Sequence, residues 1–175
     1  MKKTPTGSSV GVDDPYAHVD RCDHLTDDGR CRYAAEYGRH DPAFAADLRA
    51  DDFRCPVVHG AEGGAEADYP WADCEHFRST TDGKTCARCG IDERPDPEGR
   101  PLLEEHHLAY PDGETGHEIT VALCRWCHAK VHGSWARIDE DAAPDPAALA
   151  EREGGRSDEL AEGFESAADR YDRPE

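Results

Sequence analysis

Cys86-Ala87-Arg88-Cys89-Gly90 and Leu123-Cys124-Arg125-Trp126-Cys127-His128-Ala129-Lys130-Val131-His132 are the two stretches that decide how this chain folds. Each opens with a CxxC knuckle. A two-residue gap lets both thiolates of one tight turn face a single metal, and two such turns complete a tetrahedral Zn–S₄ shell. Gly90 suits the turn that the first knuckle must close. Between Cys89 and Cys124 lie 34 residues, well beyond the roughly 15–20 of a zinc ribbon. The insert is therefore expected to hold structure of its own.

It reads as a β-hairpin leading into a helix. Pro101 to Tyr110 is expected to be a strand carrying His106 and His107, and Pro111 to Gly116 is turn chemistry. Glu118 to Leu123 alternates β-branched and apolar residues, as a second strand would. Arg125 to Trp135 can form a short helix ended near Gly133. On it His128 and His132 stand four residues apart, so their imidazoles share one face. Such a pair chelates a divalent ion once a third ligand comes from outside the helix.

In order, Cys86-x2-Cys89, Leu103-Glu104-Glu105-His106-His107-Leu108 and Leu123 to His132 resemble the His-Asn-His (HNH) endonucleases over residues 84–134. The resemblance implies a ββα-metal fold, in which a hairpin and a helix clasp one catalytic divalent ion and a cysteine-bound zinc braces the base. It implies His106, His128 and His132 as ligands of that ion, which could be Mg, Mn, Ni or Zn. It makes His107 the general base that activates water against a scissile phosphate. The family's middle Asn, which orients the base, falls at Ile119, with His117 and Glu118 beside it.

The rest of the chain lacks the means for a large core. Ile, Leu, Val and Phe make up 22 of 175 residues, and the net charge is −19. Such chains stay disordered unless something else holds them, and a structural zinc contributes on the order of 10–16 kcal/mol in small modules. Cys22, Cys31, Cys55 and Cys74 are expected to supply a second structural zinc, although 8, 23 and 18 residues separate them and no knuckle is present. His24 or His76 could replace one thiolate. The bland alternative is four buried thiols in an aromatic core with Phe53, Trp71 and Phe77.

The acidity lies outside the knuckle module. Residues 84–137 carry 9 acidic and 7 basic side chains, against 17 and 9 before them and 13 and 4 after them. With only four lysines, the surface fits a protein bathed in molar salt, where the Debye length falls to roughly 3 Å. Within Gly116 to Arg137, Arg125, Lys130 and Arg137 form a basic face suited to phosphate contact. Trp126 and Trp135 read as packing residues before stacking platforms.

The expected organisation is a mobile arm over 1–20, a Cys-rich irregular zinc-binding region over 21–83, the ββα-metal module over 84–137 and an acidic helical or disordered tail over 138–175. A short helix is expected from Pro42 to Arg49 and loops over Gly60–Ala67 and Asp92–Gly99. The fold class is small α+β, stabilised by metal. No apolar run reaches the roughly 18 residues of a membrane span, and Met1 to Pro5 lacks an apolar stretch after its lysines, so a cytoplasmic location is expected. In that reducing compartment cysteines read as metal ligands. Two functions follow: a metal-dependent endonuclease acting on nucleic acid, DNA before RNA, or a non-catalytic zinc module that binds nucleic acid or protein. A redox role for the CxxC pairs lacks the βαβ context it needs.

Overall fold

The computed structural model describes residues 2–60, 70–96 and 98–140. The described residues belong to one compact unit, which ends at Glu140. The expected tail, from 141 on, and most of the loop expected at Gly60–Ala67 lie outside the described residues.

The fold is small α+β around a three-stranded sheet. β2 (Leu103–Ala109) and β3 (Glu118–Cys124) form the antiparallel hairpin read from the sequence. His106 stands opposite Val121 and His107 opposite Thr120, and the register slips at a bulge between His107 and Ala109. The turn between the strands is closed by Gly113 N–H to the Tyr110 carbonyl at 2.9 Å and Gly116 N–H to the Gly113 carbonyl at 3.2 Å.

β3 occupies the centre and is buried from Ile119 to Cys124, which is why it runs almost continuously apolar rather than alternating. Its other neighbour is β1 (Arg78–Ser79), which pairs in parallel and sets Arg78 beside Glu118. α4 (Arg125–Gly133) starts directly after Cys124 and buries Cys127 and Val131. It ends at the glycine where the sequence places its stop.

The first half contributes short helices, α1 (Arg32–Glu36), α2 (Pro42–Arg49) and α3 (Pro56–Gly60). α2 has the boundaries expected of it. Asp41 caps it by accepting from Phe44 N–H at 3.0 Å, and Pro42 fills the first turn, where no N–H is needed.

Two expected boundaries dissolve in the packing. Val10, Val12, Cys22 and Phe77 share one buried core with Leu103, Ile119, Leu123 and Val131, so residues 21–83 and 84–137 are not separate bodies. The arm expected to be mobile is folded: Lys3 bridges Ser9, and Val10 and Val12 are 1% and 2% exposed. Two valines two apart are too short an apolar pattern to read as a strand, yet at about 1.5–3 kcal/mol for each buried side chain they hold the arm down.

Candidate metal centre

Cys86, Cys89, Cys124 and Cys127 bring their sulfurs within 4.8 Å of one another, a set that could hold zinc. The first knuckle turns through Gly90 at φ +69°, a left-handed conformation open to glycine. Gly90 N–H donates to the Cys86 carbonyl at 2.9 Å, and Ala87 N–H ties the turn to β3 through the Ala122 carbonyl at 2.8 Å. The second knuckle is the junction of β3 and α4.

Thiols this close cannot all ionise alone. Hydrogen bonds from Cys124 and Cys127 hold Cys86 far below the usual thiol range. Cys127 also pulls Cys124 down, but the bond to Cys86 and burial outweigh it and push Cys124 up to about 12. Cys127 is driven up by its bonds to Cys124 and Cys86. A dication removes that conflict, because metal-bound thiolates share its charge.

One residue missed in the sequence sits here. Arg88 is almost buried, approaches Cys127 Sγ at 3.9 Å, and donates to the Arg137 carbonyl at 2.8 Å. Its guanidinium lies 5.6 Å from the Trp126 ring centroid, and Lys130 Nζ lies 5.7 Å from the same ring. Its place inside the first knuckle was the available signal.

A second set joins His106 from β2 with His128 and His132 from α4, again within 4.8 Å. His106 is 1% exposed. Its Nε2–H donates to the Val10 carbonyl at 3.0 Å, leaving Nδ1 as the open lone pair. His128 Nδ1–H donates to Glu104 at 2.6 Å, and His132 Nδ1 pairs with Ser8 Oγ at 2.9 Å. Both helix histidines then turn Nε2 inward, 3.1 Å apart.

With Ser8 Oγ accepting from His132 Nδ1–H, both Nε2 atoms present lone pairs that a cation between them would hold together; with Ser8 Oγ donating, His132 Nε2–H would donate to His128 Nε2. Two nitrogens each 2.0–2.1 Å from a tetrahedral ion would stand about 3.3 Å apart. All three rings are anchored through the nitrogen a metal would not use, the usual outer support of ligating imidazoles. Burial lowers the His106 pKa to about 4, so its ring stays neutral and free to bind a metal at neutral pH. Glu104 was legible in outline, since residues two apart on a strand share a face; Ser8 and Val10 carried no sequence signal.

His107 belongs elsewhere. Successive strand residues face opposite sides, and His107 groups with Glu105 and Glu118 rather than with the triad. Its ring stacks on Tyr110 with centroids 4.8 Å apart, and Nε2 lies 3.4 Å from a Glu118 oxygen. Arg78 holds the Glu118 carboxylate at 2.7 Å and keeps its pKa below the usual range. Ile119, in the position of the family's Asn, is 0% exposed in the core.

The first-half cysteines are looser. Cys22, Cys31 and Cys55 are buried and Cys74 is half-buried, and burial pushes the Cys22, Cys31 and Cys74 thiols up. Among the described residues they do not close into a set within 4.8 Å. His24 N–H lies 3.4 Å from Cys22 Sγ, and backbone N–H groups of Tyr33 and Ala34 face Cys31 and that of His76 faces Cys74. His76 instead stacks on Tyr33 at 3.9 Å and pairs with Asp41 at 2.9 Å.

Of the basic residues, Arg125 donates to the Pro101 carbonyl at 2.8 Å and Arg137 pairs with Asp13 and Asp139. Lys130 keeps its contact with Trp126. Trp126 packs against the core, whereas Trp135 is 87% exposed. No helix among the described residues is long and apolar enough to cross a membrane.

Comparison with curated proteins and with solved structures gives no match. One family model matches residues 1–170, nearly the whole chain, and by it the chain belongs to a family of unknown function (DUF7097).

Proposed function

We propose that this chain is a metal-dependent endonuclease of HNH type, with a structural zinc on Cys86, Cys89, Cys124 and Cys127 and a catalytic divalent ion on His106, His128 and His132. The observation that carries it is the convergence of three outwardly anchored imidazoles, with two Nε2 atoms 3.1 Å apart. Three imidazoles leave a coordination position open, which a catalytic centre needs. Mg, Mn, Ni and Zn are candidates, imidazole favouring the last two. When bound, the ion would neutralise charge on a phosphodiester and stabilise the leaving oxygen.

His107 would take a proton from the attacking water. Glu118, fixed by Arg78, lies on the same ring and would take the orienting role that Ile119 cannot fill. Arg125, Lys130 and Arg137 would meet the phosphate backbone, two of them by exchanging present partners. We also assign a second structural zinc to Cys22, Cys31, Cys55 and Cys74, whose support is the backbone N–H groups trained on three of the sulfurs.

A second reading has its own observation. His106 lies buried, and His107 clusters with carboxylates away from the triad. A zinc module that binds nucleic acid or a protein without cleaving would need neither group accessible.

Plasmid nicking at molar KCl with Mg²⁺, Mn²⁺ or Ni²⁺ separates the two readings, and a parallel RNA substrate separates DNA from RNA. Loss of nicking in His107→Ala, by a factor of about 10²–10⁴, supports the nuclease. A folded, zinc-loaded wild type that cuts neither substrate leaves the binding module.

A further inference from the structure

Residues 2–12 make a hairpin of their own. Lys2 N–H donates to the Val12 carbonyl and Val10 N–H to the Lys2 carbonyl, each at 3.2 Å, and within the turn Thr4 N–H reaches the Ser8 carbonyl at 2.8 Å. Two contacts run from this hairpin to the histidine centre: the Val10 carbonyl on His106 Nε2 and Ser8 Oγ on His132 Nδ1. They belong to different rings on different elements, so one segment from the far end of the chain sets both.

Packing seats the segment independently of those contacts. Gly11 runs so close to α4 that a Cβ there would lie 2.7 Å from Val131 Cγ1 and 3.0 Å from Ile138 Cγ1. Its φ of +79° also favours glycine. Its carbonyl accepts from Ile138 N–H at 2.9 Å. Val131 precedes His132 on α4, so the hairpin rests on the turn that carries a ring of the centre. The Ser8 hydroxyl is aimed by a chain of hydroxyls, 2.8 Å to Thr4 Oγ1 and 2.9 Å on to Thr6 Oγ1.

We propose that residues 2–12 are a strap whose Ser8 hydroxyl and Val10 carbonyl set the rings of His132 and His106, so that strap docking and metal loading of the histidine centre are one coupled equilibrium. This rests on the three histidines binding a divalent ion, as proposed above. Outer contacts to ligating histidines are worth about 10–100-fold in metal affinity. Linkage is reciprocal, so the metal must favour the docked strap by the same factor. Ser8 is a positioning residue, since it touches a ligand and not the ion.

The test uses the full chain with zinc on its cysteines and Co²⁺ as the probe, read by visible absorption and by amide hydrogen exchange of Val10 and Val12. Co²⁺ is expected to slow exchange of those two amides in the wild type, while Ser8→Ala weakens Co²⁺ binding 10–100-fold. Gly11→Ala, which lifts the strap off Val131 without touching a ring, is expected to weaken Co²⁺ as well. Equal Co²⁺ affinity in wild type and both variants, or strap amides indifferent to Co²⁺, overturns the coupling alone. A wild type whose histidines take up no Co²⁺ overturns the metal-centre reading and the strap with it.

Discussion

Eight cysteines divide into two sets of four, and the fold treats them differently. In the second half two knuckles, each closed within four residues, bring all four sulfurs within 4.8 Å. In the first half the thiols arrive singly: Cys22 at a turn, Cys31 before α1, Cys55 before α3 and Cys74 after a single 3₁₀ turn. Sequence spacing is geometry when the gap is two residues, because the turn itself aims both thiolates. Over gaps of 8 to 23 residues it becomes composition, and only the rest of the fold can aim the sulfurs.

The sharpest way to break this contrast is Cys124→Ser. It removes a ligand at the β3–α4 junction and is expected to cost one equivalent of zinc and cooperative folding together, since a structural zinc supplies on the order of 10–16 kcal/mol and a domain's whole stability is about 5–15 kcal/mol. Zinc stoichiometry and a thermal melt read both. A Cys124→Ser protein that melts like the wild type would mean that the hairpin and α4 stand without metal.

Cys31→Ser asks the same of the first half. If the four sulfurs hold zinc, one of two equivalents is lost and the melting temperature falls with it. If they are plain buried thiols, zinc content stays and the cost is about 1–3 kcal/mol, that of placing a hydroxyl where a thiol was buried. The former outcome removes the difference between the halves; the latter makes it absolute.

How much of this was legible follows the same line. The hairpin, the turn at residues 111–116 and α4 were readable because β propensity, turn residues and the two knuckles agree on them. His128 and His132 could be paired on paper because i,i+4 puts them on one face of a helix, whereas His106 joined them only through the resemblance to the HNH endonucleases. The arm was not readable: two valines and a glycine offer no period, and what docks them, Val131 and Ile138, lies more than a hundred residues away. Contacts of Glu118 and Ser8 were equally hidden, being set by register and by that docking.

Glu118→Gln probes a smaller effect, on the other face of β2. The amide keeps the shape but loses the charge that faces His107 and Arg78. In the nuclease reading, nicking falls about tenfold, about 1.4 kcal/mol of barrier, with zinc content and melting unchanged. Rescue is expected from Asp at that position only if its shorter arm still reaches the ring. Unchanged nicking would remove Glu118 from the mechanism and leave its ion pair with Arg78 as a plain cross-strand contact.

The smallest effect concerns the joint between the two regions. His117, the residue before β3, accepts the Tyr16 hydroxyl on Nδ1 at 2.6 Å, packs edge-on against Phe77, and donates from its ring to the Cys74 carbonyl. Burial, only partly offset by that carbonyl, lowers its pKa below the ordinary 6.5. A buried neutral histidine takes up its proton more readily in the unfolded chain. Its contribution is therefore complete above about pH 6.5 and is lost as pH falls from there toward its lowered folded value. His117→Gln is expected to lessen that decline as pH falls below about 6.5, read from denaturant midpoints with zinc kept saturating. Tyr16→Phe should cost about 1 kcal/mol above about pH 6.5, the worth of one hydrogen bond, and less as the ring protonates, because the hydroxyl donates to the neutral ring. An identical pH profile in wild type and His117→Gln would place the titrating group elsewhere and leave His117 as packing between the halves.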